Sequence, residues 1–388
     1  MGDTGRCTVA DCVEIFEASY DPSWAEEWDA VGLTAGAPAD PVSRVHFAVD
    51  PTEEVAHEAI AAGAELLVTH HPRFLRGVHG IAETSAGGRV VTSLVRGGCA
   101  LFTAHTNADV ARPGVSDALA DVLGLQDTRP VEPLRAPGAE PLDKLVVFVP
   151  IADRARLLDA LAEAGAGGIG DYDRCAWWAP GTGTFRPLGG ASPAIGEVGR
   201  VEEVAEDRLE MVYARRLRPA VVATLRATHP YEEPAFDLVE LAAEPLPPLQ
   251  ARGLGRVGEL AEPMRLDAFV DRVAQALPKT AWGVRSTGEG DRLIRRVAVC
   301  GGSGGELAGP AAGMGADVLV TSDARHHHTL DSTAAYGIAI IDAAHWATEH
   351  PWLHSAAALL QAGLPATVGS LTTYVSDLVT DPWRLHGC

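Results

Sequence analysis

Short apolar runs alternate with Ala-rich stretches of helical spacing in the first third of the chain. Five runs follow in the order strand, helix, strand, helix and strand: Val45–Val49, Glu53–Ala62, Leu66–Val68, Gly88–Arg96 and Ala100–Thr103. Strands that are apolar throughout and separated by helices are typical of a mainly parallel sheet covered on both faces. We therefore predict a βαβαβ arrangement of the α/β class for this part.

The last third of the chain repeats this pattern with a related sequence. Gly63–Thr69 reads GAELLVT, and Gly315–Thr321 reads the nearly identical GADVLVT. Beyond a later apolar run, each part carries a histidine with a carboxylate four residues on: His105 with Asp109, and His345 with Glu349. Two matches in the same order favour internal duplication over chance. We therefore predict duplicated βαβ halves whose strand ends face one cleft.

The middle of the chain has a different order of predicted strands and helices. It lies between two Pro-rich stretches that we predict to be linkers, Val131–Lys144 and Leu241–Gly255. Between them the runs follow a βα…βαβ order: Leu145–Val149, Asp153–Gly165, Leu209–Ala214, Pro219–Thr228 and Ala235–Leu241. This order is the outline of a small ferredoxin-like α+β fold. The predicted domains are a first half over residues 1–132, an inserted module over 133–250 and a second half over 251–388.

The composition is that of an ordinary globular protein, but the charge balance is acidic. Of the 388 residues 47% are apolar, and a formal net charge of −21 disfavours non-specific binding to nucleic acid or to an anionic membrane. The polar start, MGDTGRCTVADC, does not resemble a signal peptide, and no apolar run approaches the roughly 20 residues that span a bilayer. Six scattered cysteines without a CxxC pair fit free thiols in a reducing compartment. We expect a cytoplasmic protein.

A pair of histidines follows one of the predicted strands, where ligand sites collect in α/β sheets. His70 and His71 come directly after Thr69. Consecutive side chains of extended backbone point to opposite sides, so the pair suits two metal ions better than one. Neutral imidazole is a common ligand of zinc and similar cations. Taken alone, however, two neighbouring histidines are more often structural.

Three further residues change that balance. Asp109 follows the next strand, and His345 and Glu349 follow the corresponding strand of the other half, where helical i, i+4 spacing would put them on one face. A carboxylate bridge, for which Glu349 is the candidate, would hold two ions about 3.5–4 Å apart and activate a shared hydroxide as a nucleophile. The sequence therefore predicts a dinuclear hydrolytic site with these metal ligands: His70, His71, Asp109, His345 and Glu349.

Five strings of residues resemble the NIF-three-like dinuclear-metal family, whose bacterial members are called GTP cyclohydrolase 1 type 2 homologues. The strings are Trp28–Leu33 (WDAVGL), Thr69–Pro72 (THHP), His105–Asp109 (HTNAD), His229–Pro234 (HPYEEP) and Asp342–Glu349 (DAAHWATE). The resemblance is to the longer bacterial subtype, and it implies an inserted domain similar to the trimeric PII and CutA proteins. It also implies a toroidal homohexamer with dimetal sites facing an internal cavity, and the same five metal ligands.

Other residues near the predicted strand ends have roles that the sequence leaves open. His105 could orient a ligand or relay a proton above the metals, or it could be a structural histidine. Asp323 and His327 could line the cleft, and His327 falls at a histidine of the family. His105 and His327 are therefore the candidates for an acid or base. Gly301–Gly305 could approach phosphate oxygens, but a bare turn is the default because its spacing matches no phosphate-binding motif.

Two functions of different classes are compatible with such a site. The first is a metal-dependent hydrolase, and the family name, taken literally, implies that a hydroxide attacks C8 of GTP and that formate is released. The second is a non-catalytic hexameric protein that binds metal or regulates, which a PII-like insert fits at least as well. We expect two divalent cations per subunit; the ligand set suits Zn²⁺ and is compatible with Fe, Mn, Ni or Co. The other expected partner is an anionic small molecule or nucleotide.

Overall fold

The computed structural model describes residues 6–134, 141–170, 172–242, 252–364 and 371–387. The chain is a mixed α/β protein with several sheets, and it divides into two units. The larger unit is formed by Met1–Leu134 with Pro245–Cys388, and the smaller one by Arg135–Glu244. None of the helices in the described ranges combines the length and apolarity that a membrane crossing requires.

The strands and helices alternate along most of the chain. The strands are β1 (Gly32–Ala35), β2 (Arg44–Ala48), β3 (Leu66–Thr69), β4 (Ala100–Thr103), β5 (Gln126–Arg129), β6 (Glu132–Pro133), β7 (Leu142–Pro150), β8 (Ala176–Phe185), β9 (Glu202–Ala214), β10 (Phe236–Glu240), β11 (Gly253–Leu254), β12 (Arg256–Arg265), β13 (Val284–Ser286), β14 (Leu293–Ser303), β15 (Val318–Ser322), β16 (Ala339–Ala343) and β17 (Thr372–Val375). The helices are α1 (Val9–Ser19), α2 (Glu53–Ala61), α3 (Ala86–Arg96), α4 (Thr106–Val110), α5 (Val115–Val122), α6 (Arg154–Glu163), α7 (Arg218–Thr228), α8 (Leu266–Ala276), α9 (Ala308–Gly313), α10 (His326–Tyr336) and α11 (His345–Gly363).

The first sheet of the larger unit has the strand order β1-β4-β3-β2-β17. Its strands run parallel except for β1, which is antiparallel to β4. Every residue of β3 and β4 is buried, because both faces of the sheet are covered. Leu67 packs with α2 and α3 on one face, and Leu66 and Val68 belong to the main core on the other. This explains why the strands read as continuous apolar runs.

The second sheet has the order β13-β16-β15-β14-β12-β5. Its central strands β14, β15 and β16 are parallel, whereas β12 and β13 pair antiparallel with them. Val68 of the first sheet and Val320 of the second belong to one apolar cluster, which also contains Trp352 of α11. Helix α11 therefore packs against both sheets, and its first turns are fixed close to the strand ends of both.

The smaller unit is a four-stranded sheet of order β10-β7-β9-β8 with α6 and α7 on one face. All of its neighbouring strands are antiparallel. Strand β8 was not predicted from the sequence, because Pro180, Gly181 and Gly183 are all poor strand formers. Proline is tolerated there because β8 lies at the edge of the sheet.

The two predicted linkers need a partial correction. Residues 135–140 of the first and 243–251 of the second lie outside the described residues. The described flanks are regular structure: Glu132–Pro133 pairs antiparallel with Gly253–Leu254, and β7 begins at Leu142, still inside the predicted linker. The chain therefore leaves the larger unit and returns to it on neighbouring strands.

Candidate metal centre

The five predicted metal ligands lie where strands of the larger unit end. They come from three places along the chain: His70 and His71 directly after β3, Asp109 in α4 beyond β4, and His345 and Glu349 in the first turns of α11 beyond β16. Parallel strands end at the same edge of a sheet, which explains how residues distant in sequence meet.

Glu349 is the residue on which the others converge. Its Oε1 lies 2.9 Å from Nε2 of His345 and 3.5 Å from Nε2 of His70, and its Oε2 lies 3.1 Å from Nε2 of His71. Asp109 approaches from one side, with its Oδ1 3.6 Å from Nε2 of His70. The Glu349 carboxylate thus has an imidazole at each of its two oxygens, as a carboxylate shared by two ions requires.

Each imidazole is oriented by an acceptor on its outer nitrogen. Nδ1 of His70 donates to the Ala104 carbonyl oxygen at 3.0 Å. Three carboxylates accept from Nδ1 of the other rings: Asp50 from His71 at 2.7 Å, Asp29 from His105 at 2.8 Å, and Asp323 from His345 at 2.7 Å. Because these oxygens only accept, each Nδ1 carries a proton and each Nε2 is directed inward. Metal-binding histidines are oriented in this way.

Not all of these orienting residues are evident from the sequence. Asp323 was predicted only to line the cleft, and no role was predicted for Asp29 or Asp50. A signal was present for Asp50, which comes two residues after β2, at the same sheet edge as His70 and His71. Asp29 lies far from its partner in sequence, and only its place in the string WDAVGL singled it out.

The two candidates for an acid or base lie in different surroundings. His105 joins the cluster: a ring nitrogen of His105 lies within 4.8 Å of ligand atoms of His70 and His71. His327 lies exposed in the first turn of α10, with its ring centroid 5.2 Å from that of His326, and none of the metal-compatible groups found among the described residues includes it. Their roles in catalysis stay predictions.

The Gly-rich string Gly301–Gly305 also borders the centre. Gly301 to Ser303 belong to the end of β14, and the Gly302 amide donates to Oγ1 of Thr348 at 2.9 Å. A Cβ atom on Gly302 would lie 2.5 Å from Oε1 of Glu349 and 3.2 Å from Nε2 of His345. The glycine is therefore required to let the backbone approach the ligands closely.

Without ions, the cluster holds protons in place of metal. Burial opposes the charged form of Glu349, but the imidazoles of His71, His345 and His70 hold the pKa of its carboxyl well below its ordinary value. Burial alone would lower the pKa of His345, but Glu349 and Asp323 raise it to about 10. The pKa of His71 is raised well above its ordinary value for the same reason, by Glu349 and Asp50. Burial raises the pKa of Asp109.

The residues present fit divalent cations. Two groups of three residues each bring their ligand atoms within 4.8 Å of one another, and His71 belongs to both. The first group is His70, His71 and His105, and the second is His71, His345 and Glu349. Nε2 of His70 is buried without a hydrogen-bond partner among the described residues. Buried polar atoms are rarely left so, which indicates a missing ligand. Imidazole and carboxylate are the donors that zinc and related ions accept.

Comparison with known proteins identifies the family to which the chain belongs. A sequence profile of the Duf34/NIF3 (NGG1p interacting factor 3) family matches residues 7–382. The chain belongs to the Duf34/NIF3 family. The resemblance found in the sequence motifs is thereby confirmed.

The relatives of this Duf34/NIF3 protein match it over nearly its full length. Proteins named "GTP cyclohydrolase 1 type 2 homolog" are 48% identical in Mycobacterium tuberculosis, over 97% of each chain, and 47% identical in Mycobacterium leprae, over 97% of this chain and 95% of that one. A Bacillus cereus protein related to NIF3 has a similar structure, with a TM-score of 0.64 at 35% identity, covering 98% of this chain and 99% of that one.

Proposed function

We propose that this Duf34/NIF3 protein is a metal-dependent hydrolase with two divalent cations per subunit. The observation that carries the proposal is the convergence of the His70, His71 and His345 imidazoles on the Glu349 carboxylate, with Asp109 beside His70. His70, Asp109 and Glu349 would hold one ion, and His71, His345 and Glu349 the other. Zn²⁺ suits this set, and Fe, Mn, Ni or Co are compatible. When bound, the ions supply Lewis acidity and make water acidic enough to act as a nucleophile near neutral pH.

The other polar residues of the centre orient its ligands and move protons. Asp50 and Asp323 hold the rings of His71 and His345, so that the ligand atoms need no rearrangement. His105 is the group best placed to give or take a proton, because Asp29 fixes its ring while its other nitrogen is directed toward the cluster. Asp29 is itself held by the Thr106 hydroxyl and amide, and hydrogen bonds together with His105 lower its pKa despite burial.

GTP is the first substrate to test, because relatives carry the name GTP cyclohydrolase 1 type 2 homolog. Zinc-loaded protein is expected to consume GTP and release formate, and His70→Ala is expected to abolish this turnover. His57→Ala, which alters an exposed histidine on α2, should leave turnover unchanged and is the matched control. Tight zinc binding without turnover of GTP, other nucleotides or phosphoesters would favour the alternative, a non-catalytic metal-binding or regulatory protein.

We also propose that the larger unit arose by duplication and that the smaller one is a ferredoxin-like, PII/CutA-like insert. Matching strand orders, β1-β4-β3-β2 and β13-β16-β15-β14, support the duplication. The insert is supported by the chain order β7-α6-β8-β9-α7-β10 and the sheet order β10-β7-β9-β8, because a βαββαβ unit of this kind is ferredoxin-like.

A homohexamer is proposed from the family resemblance. Light scattering on purified protein tests it: a mass of six 40.6 kDa chains is expected, and a monomer at micromolar concentration would exclude the hexamer.

A further inference from the structure

A cavity of about 240 Å³ opens beside the metal centre. One side is formed by ligands and orienting residues already described, and the other by aromatic side chains: His71, His345, Asp50 and Asp323 on the first, and Trp282, Trp346 and Trp383 on the second. Sites for drug-sized ligands usually measure roughly 300–1,000 Å³, so this cavity suits one ring system rather than a whole nucleotide.

Two tryptophans give the cavity an aromatic wall. The indoles of Trp282 and Trp383 have ring centroids 5.5 Å apart, at an interplanar angle of 39°. Trp282 is fixed, because its Nε1 donates to Oδ2 of Asp342 at 3.2 Å and the Arg285 guanidinium lies 4.5 Å from its ring centroid. Trp383 is 58% exposed, so much of its surface is available to a ligand.

A second, independent feature of this cavity also indicates a ligand. Asp381 lines the cavity and is only 1% exposed, yet its Oδ2 has no hydrogen-bond partner among the described residues. The carboxyl accepts from the backbone N–H of Trp383, which ties it to the aromatic wall. A buried acceptor without a donor is costly, and a ligand that brings an N–H group would satisfy it.

The charges around the cavity limit which part of a ligand can occupy it. Asp50, Asp323 and Asp381 all line it, so an anionic phosphate group is disfavoured next to the indoles. A neutral ring with N–H donors on its edge is compatible with both the carboxylates and the aromatic wall. Anionic groups attached to such a ring would instead be attracted by the ions of the metal centre.

We propose that Trp282, Trp383 and Asp381 form a subsite for a planar nitrogen heterocycle with an N–H edge, such as guanine, that places the substrate beside the metals. This inference rests on the proposed function, which it deepens by naming the class of substrate. Trp383 stacks on the ring, Trp282 supports Trp383, and Asp381 accepts the N–H. These are positioning residues.

Calorimetric binding of GTP to the zinc-loaded full-length protein tests the subsite, with inorganic triphosphate as the ligand that has no ring. Trp383→Ala is expected to weaken GTP binding about tenfold, since a base stacked on an aromatic side chain contributes about that much, and to leave triphosphate binding unchanged. Trp383→Phe should restore most of the affinity for GTP. Asp381→Asn should weaken GTP binding less than Trp383→Ala does.

Trp177→Ala is the matched control, because Trp177 is also 58% exposed but belongs to the smaller unit. It should change neither GTP affinity nor zinc content. Equal affinity of wild type for GTP and triphosphate, with zinc bound, would overturn the subsite while leaving the metal centre intact. Equal loss of GTP and triphosphate binding in Trp383→Ala would also overturn it. Failure of the wild type to bind zinc would instead overturn the proposed function.

Discussion

Two buried clusters of charged groups among the described residues of the larger unit differ in how completely their polar atoms are satisfied. The first is the pair Arg256–Asp117, in which Arg256 is fully buried. Its guanidinium donates to both Asp117 oxygens at 2.7 Å and to three backbone carbonyls at 2.5–2.8 Å, those of Ala111, Gly253 and Gly255. All five N–H donors of the arginine are therefore used.

The second cluster is the candidate metal centre, which is not complete on its own. Nε2 of His70 has no hydrogen-bond partner among the described residues, and the imidazoles of His71 and His345 lie 3.1 and 2.9 Å from the Glu349 carboxylate. The first cluster joins segments distant in sequence and needs nothing from outside. The difference shows that burial of charge alone does not indicate a functional site. A functional site is indicated by oriented metal-ligating atoms that have no partner within the protein.

The largest expected effect on stability comes from breaking the complete cluster. Arg256→Met should lower the free energy of unfolding of the metal-free protein by about 3–5 kcal/mol, because it leaves the Asp117 carboxylate buried without its partner. Urea denaturation measures this, and zinc stoichiometry should not change. Arg265→Met is the control: the Arg265–Asp267 pair is exposed and should contribute at most about 1 kcal/mol. If Arg256→Met also lowers the free energy of unfolding by only about 1 kcal/mol, the conclusion that the Arg256–Asp117 pair is a complete, stabilising cluster is contradicted.

Zinc should stabilise the incomplete cluster. At a free concentration of 100 times Kd, each bound ion should raise the free energy of unfolding by about 2.7 kcal/mol, and a chelator should reverse the gain. His70→Leu should abolish most of this gain while changing the metal-free protein by about 1 kcal/mol or less, since it removes one hydrogen bond to Ala104 but also an unpartnered buried nitrogen. Equal zinc stabilisation of His70→Leu and wild type is the outcome that would exclude His70 as a ligand.

The carboxylates that orient the rings should have an intermediate effect. Asp50→Asn is expected to weaken zinc binding about 10–100-fold, because it removes the anionic acceptor that fixes the His71 ring. Competition with a chromophoric chelator measures the affinity. Asp331→Asn, in an exposed residue on α10, should leave it unchanged. If both variants bind zinc like wild type, the orienting role of Asp50 is wrong.

A shift of about 0.3 pH unit near neutrality should have the smallest of these effects, a change of about fourfold in zinc affinity if two protons are released. The pKa of His71 and of His345 is raised in the metal-free centre, that of His345 to about 10, so both rings carry an extra proton at pH 7. Zinc needs neutral imidazole, so binding releases these protons, and affinity rises with pH through this range and falls on acidification. Calorimetry in buffers of different ionisation enthalpy counts the protons; no release at pH 7 would contradict the raised pKa values.

The sequence predicted the repeated strands and the family better than it predicted the surroundings of the site. Continuous apolar runs identified β3 and β4, since burial on both faces leaves no alternation to misread. The edge strand β8 was missed, because its glycines and proline are tolerated only by its position in the sheet. Asp29 was missed as a positioning residue, because only the fold brings it to within 2.8 Å of His105.

Anomalous X-ray diffraction at the zinc edge, on crystals of the zinc-loaded protein, tests the dinuclear centre most directly. Two anomalous peaks per chain are expected, both within coordinating distance of the Glu349 carboxylate, one beside His70 and Asp109 and the other beside His71 and His345. No peak beside Glu349, or zinc bound only elsewhere on the chain, would contradict the proposed centre.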